Sequence, residues 1–141
     1  MSEQSPSAQM TEEQKEAWIK EQFQRANKHL AENGVLFDTV VADASKYLIP
    51  YLSVWKIKST ENKQYWVISG DLPTDFMLAS NAKDAREAIR HFSMSWQMKA
   101  ESIRQTMPGD ETQMRFAALL ENKAMNLFNV HESEHLWRET H

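Results

Sequence analysis

Apolar residues change their spacing twice along this chain, and that switch constrains the fold more than any other feature. Ile19, Phe23, Ala26 and Leu30 step by 4, 3 and 4, the period that places side chains on one face of an α-helix. From Val35 to Ser69 the spacing becomes alternate and the residue types shift to Val, Ile, Tyr and Trp: YLSVWKIK (51–58) sets Leu52 and Val54 against Trp55 and Ile57, and YWVIS (65–69) repeats the pattern. That is the signature of strands. After GDLPTDF the helical period returns, with Ala85, Ile89, Phe92, Trp96, Ala100 and Ile103 at 4-3-4-4-3 spacing, and then Ala117, Leu120, Ala124, Leu127 and His131 on one stripe.

The chain has only three glycines and four prolines, so long regular elements are expected between well-marked breaks. Thr11 with Gln14 makes a capping-box start and Asn33-Gly34 a stop, which predicts a helix over 11–33. A hairpin is expected over about 46–69, with TVVADA (39–44) as a further short strand and Pro50 at an edge or bulge. Asn81 with Asp84 offers a helix cap, Pro108-Gly109 a break and Asp110 the next cap, so the last helix is expected over 111 to about 137. The expected fold is α+β: a long N-terminal helix, a small antiparallel sheet of two or three strands, and two C-terminal helices. A sheet that thin cannot bury both faces alone, so the helices are expected to pack across it as a two-layer domain.

At 141 residues the chain suits one domain, read as 11–141 behind a disordered segment 1–10. It contains no cysteine, which removes disulfides, thiolate nucleophiles and thiolate metal ligands. Lys and Arg total 16 against 20 acidic residues, a formal net charge of −4. Without a basic block, phosphate neutralisation on nucleic acid is disfavoured. MSEQSPSAQM lacks the basic and apolar regions of a signal peptide, and no stretch has the roughly 18 unbroken apolar residues of a membrane span. A cytoplasmic location is expected, with no nucleic-acid or membrane partner.

Chemistry-bearing residues concentrate in a few places. HESEH (131–135) satisfies H-E-x-x-H: His131 and His135 at i and i+4 would share a helix face and bind Zn²⁺, with Glu132 polarising a metal-bound water. His141 stands where a metzincin has its third ligand, but Arg138 occupies the position of the glycine that such a site needs to turn the chain back. On an unbroken helix His141 would lie about 9 Å past His135, too far to share the metal. The alternative reading makes His131 the wetter end of an apolar stripe, favoured by the helix dipole. SGDLPTD (69–75) is the most site-like loop, with Gly70, Asp71, Thr74 and Asp75 able to hold a cation or polar ligand, or simply to form a turn. Trp66 borders that loop. Trp55 and Trp66 lie on adjacent strands and either stack on a ligand or fill the core; the core is preferred because Lys56 and Lys58 are the basic neighbours on their strand. Ser95 and Lys99 have helical spacing, without an oxyanion hole to make them a dyad.

The stretches EQFQRANKHLAENGV, VWKIK, YWVISGDLPTDF and DAREAIRHFSMSWQ resemble a family of small uncharacterised bacterial proteins, a domain of unknown function, over about residues 17–105. The resemblance implies a cytoplasmic single-domain protein and carries no assigned activity. HESEHLWRETH falls outside it. Amphipathic helices, a thin aromatic sheet and the lack of a convergent catalytic set lead to the expectation of a non-enzymatic domain that binds a protein partner or a copy of itself, with no cofactor. A small-ligand site or hydrolase centre at Ser69–Asp75 is the second expectation, and zinc at His131 and His135 the third.

Overall fold

The computed structural model describes residues 10–137. Residues 1–9, most of the segment expected to be disordered, and 138–141, which include Arg138 and His141, lie outside the described residues. The chain divides after Ala85 into two compact units.

The first unit is a helix laid on an antiparallel sheet. Helix α1 spans Glu12–Glu32 and begins at the expected capping box, with Gln14 N–H donating to Thr11 Oγ1 at 3.0 Å and Thr11 N–H to Gln14 Oε1 at 2.8 Å. Its end is sealed at Asn33, whose N–H bonds back to Leu30 O at 2.9 Å. Five strands follow: β1 (Phe37–Val40), β2 (Lys46–Leu48), β3 (Leu52–Ser59), β4 (Gln64–Gly70) and β5 (Asp75–Leu78). The sheet order is β1-β3-β4-β5, with β2 also paired to β3, and all pairings are antiparallel. The hairpin of β3 and β4 is the expected one. The sheet is larger than the two or three strands expected because β1, β2 and β5 are only four, three and four residues long, too short for alternation to register. Pro50 lies in the turn joining β2 to β3, and its peptide bond is cis.

Alternation along β3 and β4 divides the side chains between faces. Trp55, Ile57 and Val67 form a core with Ala26 and Leu30 of α1, against which Ile19, Phe23, Val35, Phe37, Val40, Tyr65 and Phe76 pack. The four apolar α1 positions picked out by the helical period all belong to this cluster. Val54, Trp66 and Ile68, which alternate to the other face, are fully buried as well. Trp55 and Trp66 therefore point to opposite faces and do not stack; their register partners are Val67 and Lys56.

The second unit contains helices α2 (Ala85–Thr106), α3 (Glu111–Glu132) and the short α4 (Glu134–Trp137). Ile89, Phe92, Trp96, Ala100 and Ile103 are buried on α2, and Ala117, Leu120, Ala124 and Leu127 on α3, the positions that the 3-4 spacing selects. The helices run antiparallel: Ser93 Oγ donates to Ala124 O at 2.7 Å, while Arg104, further along α2, pairs with Glu121, earlier on α3, at 2.7 Å. Asp110 caps α3 by accepting from Gln113 N–H at 3.0 Å. Asn81 instead closes a 3₁₀ turn (Ala79–Asn81), and α2 starts at Ala85. The last helix is not continuous to 137: it ends at Glu132, Ser133 leaves helical geometry with ψ 89°, and its hydroxyl bonds back to Asn129 O at 2.7 Å. Serine competes for the backbone in this way wherever a helix is weakly held.

Replacing the α1 cap, Thr11→Ala, is expected to lower unfolding free energy by about 1 kcal/mol in urea titration, since the hydroxyl that accepts from Gln14 N–H is lost.

Candidate functional site

The break at Ser133 removes the premise of the histidine motif, because His131 and His135 no longer occupy i and i+4 of one helix. The His131 ring lies between two carboxylates: Nδ1 is 2.9 Å from Glu132 Oε2 and Nε2 is 3.6 Å from Glu87 Oε2. Arg86 closes the helix end, its Nε donating to His131 O at 2.9 Å and its Nη2 to Glu134 at 3.2 Å, with the guanidinium 5.7 Å from the centre of the Trp137 ring. His135 is exposed. Among the described residues no group of three or more His, Cys, Asp or Glu side chains is placed to hold a metal ion.

SGDLPTD is the connection from β4 into β5, with Ser69 and Gly70 still in β4 and Asp75 opening β5. Gly70 has φ +144°, and a Cβ there would stand 2.5 Å from Tyr51 O and 2.6 Å from Leu52 Cα. Glycine is therefore required for two backbones to approach. Asp71 N–H donates to Tyr51 O at 3.0 Å, Gly70 O accepts from Arg25 Nη1 at 3.2 Å, and Asp75 Oδ1 accepts from Phe76 N–H at 2.8 Å. Thr74 is half-buried in the same connection. Trp66 sits four residues back along β4, about 13 Å from Gly70 at strand rise. Its Nε1 donates to Ala79 O at 3.2 Å and Ala82 O at 3.0 Å.

Beside this connection runs a buried polar seam. Trp55 Nε1 donates to Ser53 Oγ at 2.9 Å, the Ser53 and Ser69 hydroxyls are 3.0 Å apart, and Ser69 Oγ donates to Gln22 O at 3.2 Å. The buried Gln22 Oε1 has no hydrogen-bond partner among the described residues, an arrangement that costs desolvation without return.

A concave feature of different character lies elsewhere in the first unit. A groove of about 600 Å³ opens between α1 and the β1–β2 side of the sheet, walled by Phe23, Phe37, Tyr47 and Trp55, with Lys20 and Asp38 at its rim. Phe23 meets Phe37 edge-on at 5.1 Å between centroids and Trp55 at 5.4 Å, and Tyr47 tilts over Trp55 at 5.0 Å. Asp38 is matched by Lys58 at 3.9 Å, whereas Lys20 makes no ion pair among the described residues. Sequence reasoning missed the groove because its walls come from α1, β1, β2 and β3. The aromatic content of the hairpin was the one legible signal, and only Trp55 of the hairpin's tryptophans takes part.

Burial raises the Tyr47 phenol above its ordinary value of 10.0. Folding thus favours the neutral phenol: the contribution is complete below the unfolded value of 10.0 and is lost as pH rises through the higher folded value. Phenolate absorbance is expected to show a late-titrating tyrosine that Tyr47→Phe abolishes. Gly70→Ala is expected to destabilise by about 3 kcal/mol or more, combining left-handed strain with backbone overlap. Gln22→Met is expected to be neutral or to stabilise by up to about 1 kcal/mol, since it removes the orphaned oxygen at nearly constant volume. Urea titration reads both.

No helix among the described residues is long and apolar enough to cross a membrane. No curated protein and no solved structure matches the chain significantly. A family model described as a domain of unknown function, DUF4826, matches residues 12–137, which extends the resemblance over both C-terminal helices and HESEH. From the capping-box helix to the Trp137 turn, the chain belongs to the DUF4826 family.

Proposed function

We propose that this is a non-enzymatic interaction domain whose aromatic groove seats an apolar side chain of a protein partner, flanked in that partner by an acidic residue. The carrying observation is the wall of Phe23, Phe37, Tyr47 and Trp55 around a cleft of about 600 Å³. Aromatic walls offer large apolar contact at little entropic cost, which is why such residues dominate interface anchors. The preference for an acidic flank follows from charge: Asp38 is already matched by Lys58, so Lys20 leaves the rim net positive. The polar groups lining the groove are Lys20, Asp38, Thr39 and Tyr47, which do not compose a nucleophile with its base and favour binding over catalysis.

Selection of random peptides displayed on phage against the full chain tests this. The expected consensus carries an aromatic or large aliphatic anchor with Asp or Glu close by. Ala42→Trp, which fills the groove from an exposed position, is expected to abolish binding, and Lys20→Glu to reverse the acidic preference. Failure to enrich any consensus, or unchanged binding by the folded Ala42→Trp variant, would overturn the reading. A second copy of the chain as the occupant would appear as concentration-dependent association in sedimentation that Ala42→Trp removes.

A further inference from the structure

A second groove in the first unit, about 480 Å³ in volume, has the opposite chemistry. It is lined by Lys56, Asn62, Lys63, Gln64, Leu78, Ala79 and Ser80. Lysine ammonium, side-chain amide and hydroxyl donors line it, and no carboxylate does. Neither Lys56 nor Lys63 is ion-paired among the described residues. In a chain of net charge −4 this is a local excess of positive charge.

Both walls are tied down. On one side, the turn joining β3 to β4 is held by Ser59: its Oγ accepts from Glu61 N–H at 3.2 Å and Lys63 N–H at 3.3 Å, its N–H donates to Lys63 O at 2.8 Å, and its O accepts from Asn62 N–H at 2.9 Å. Asn62 takes the left-handed conformation with φ 66°, which asparagine tolerates. On the other side, the Trp66 indole bonds to Ala79 O and Ala82 O, fixing the 3₁₀ turn that carries Ser80. Between them, the half-buried Lys56 holds its ammonium 5.4 Å from the centre of the Trp66 ring. A cation–π contact of this kind fixes a charge at the site without neutralising it.

The geometry points to an anion site: this groove takes a small dianion of the phosphate or phosphate-monoester class, balanced by the Lys56 and Lys63 ammonium groups and oriented by Asn62, Gln64 and Ser80. Two cations, one of them held over the Trp66 ring, match two negative charges, and an ester's organic remainder would lie along Leu78 and Ala79. The site is independent of the aromatic groove and shares no lining residue with it.

The test is titration of the ¹⁵N-labelled full chain, followed by amide shifts, with inorganic phosphate, glycerol phosphate and acetate at matched ionic strength. Saturable shifts at Lys63, Gln64 and Ser80 are expected with both phosphates, with glycerol phosphate binding at least as tightly as the inorganic ion and acetate giving no saturation. Lys63→Gln, on an exposed turn, and Lys56→Met are each expected to weaken binding at least about threefold. Lys58→Gln, which removes equal charge outside the groove, is expected to leave it unchanged, and added salt to weaken it. Shifts that rise linearly, that acetate reproduces, or that Lys58→Gln diminishes as much as Lys63→Gln would overturn the assignment.

Discussion

Strand β3 is the constraint on which the first unit depends. It is paired on both edges, to β4 on one side and to β1 and β2 on the other, so its backbone is committed along nearly its whole length. Ser53, Val54, Trp55 and Ile57 are also buried, no more than 3 % exposed. A strand enclosed in this way must be apolar on both faces or carry polar groups that find partners within the fold. That requirement explains why α1 presents Phe23, Ala26 and Leu30 to one face, and why the only hydroxyl in the buried middle of the strand, Ser53, is bonded to both Trp55 and Ser69.

Polar groups that enter the interior here do structural work through the backbone. Ser69 reaches the Gln22 carbonyl of α1, Trp66 reaches two carbonyls around the 3₁₀ turn, and Ser93 reaches Ala124 on the neighbouring helix. Each bond ties segments distant in sequence, and each satisfies a donor that burial would otherwise penalise. Among the described residues, Gln22 is the exception, with one buried side-chain oxygen left without a partner. In the connection that looked most like a ligand loop, Gly70 permits close passage of β4 by the start of β3, the Asp71 N–H donates to Tyr51 O, and Asp75 Oδ1 accepts from Phe76 N–H in β5.

The two grooves of the first unit differ because β3 offers different residues at different places. Trp55 points toward α1 and joins aromatic side chains from three other elements; Lys56, the next residue, points the other way and lies beside the hairpin turn. One step along a strand reverses the face, so one dipeptide supplies the floor of an apolar groove and the fixed charge of a cationic one.

Element types were legible in the sequence because they arise from local causes. Thr11 and Gln14 are three residues apart and cap their own helix; Ile89 to Ile103 mark a buried stripe by spacing alone; Asp110 caps the helix that Pro108-Gly109 separates from its predecessor. The long strands β3 and β4 alternated over enough residues to be read, whereas β1, β2 and β5 exist because β3 and β4 offer them edges to pair with. The helix break at Ser133 was illegible for a related reason: the residues are compatible with helix, and the serine side chain and the Arg86 contacts to His131 and Glu134 decide the outcome. Only the tertiary structure composed the sites. Lys20, Asp38, Tyr47 and Trp55 are separated by 8 to 18 residues, as are Lys56, Lys63 and Ser80 by 7 and 17, and chain spacing says nothing about side chains whose proximity depends on strand register and on a helix crossing the sheet.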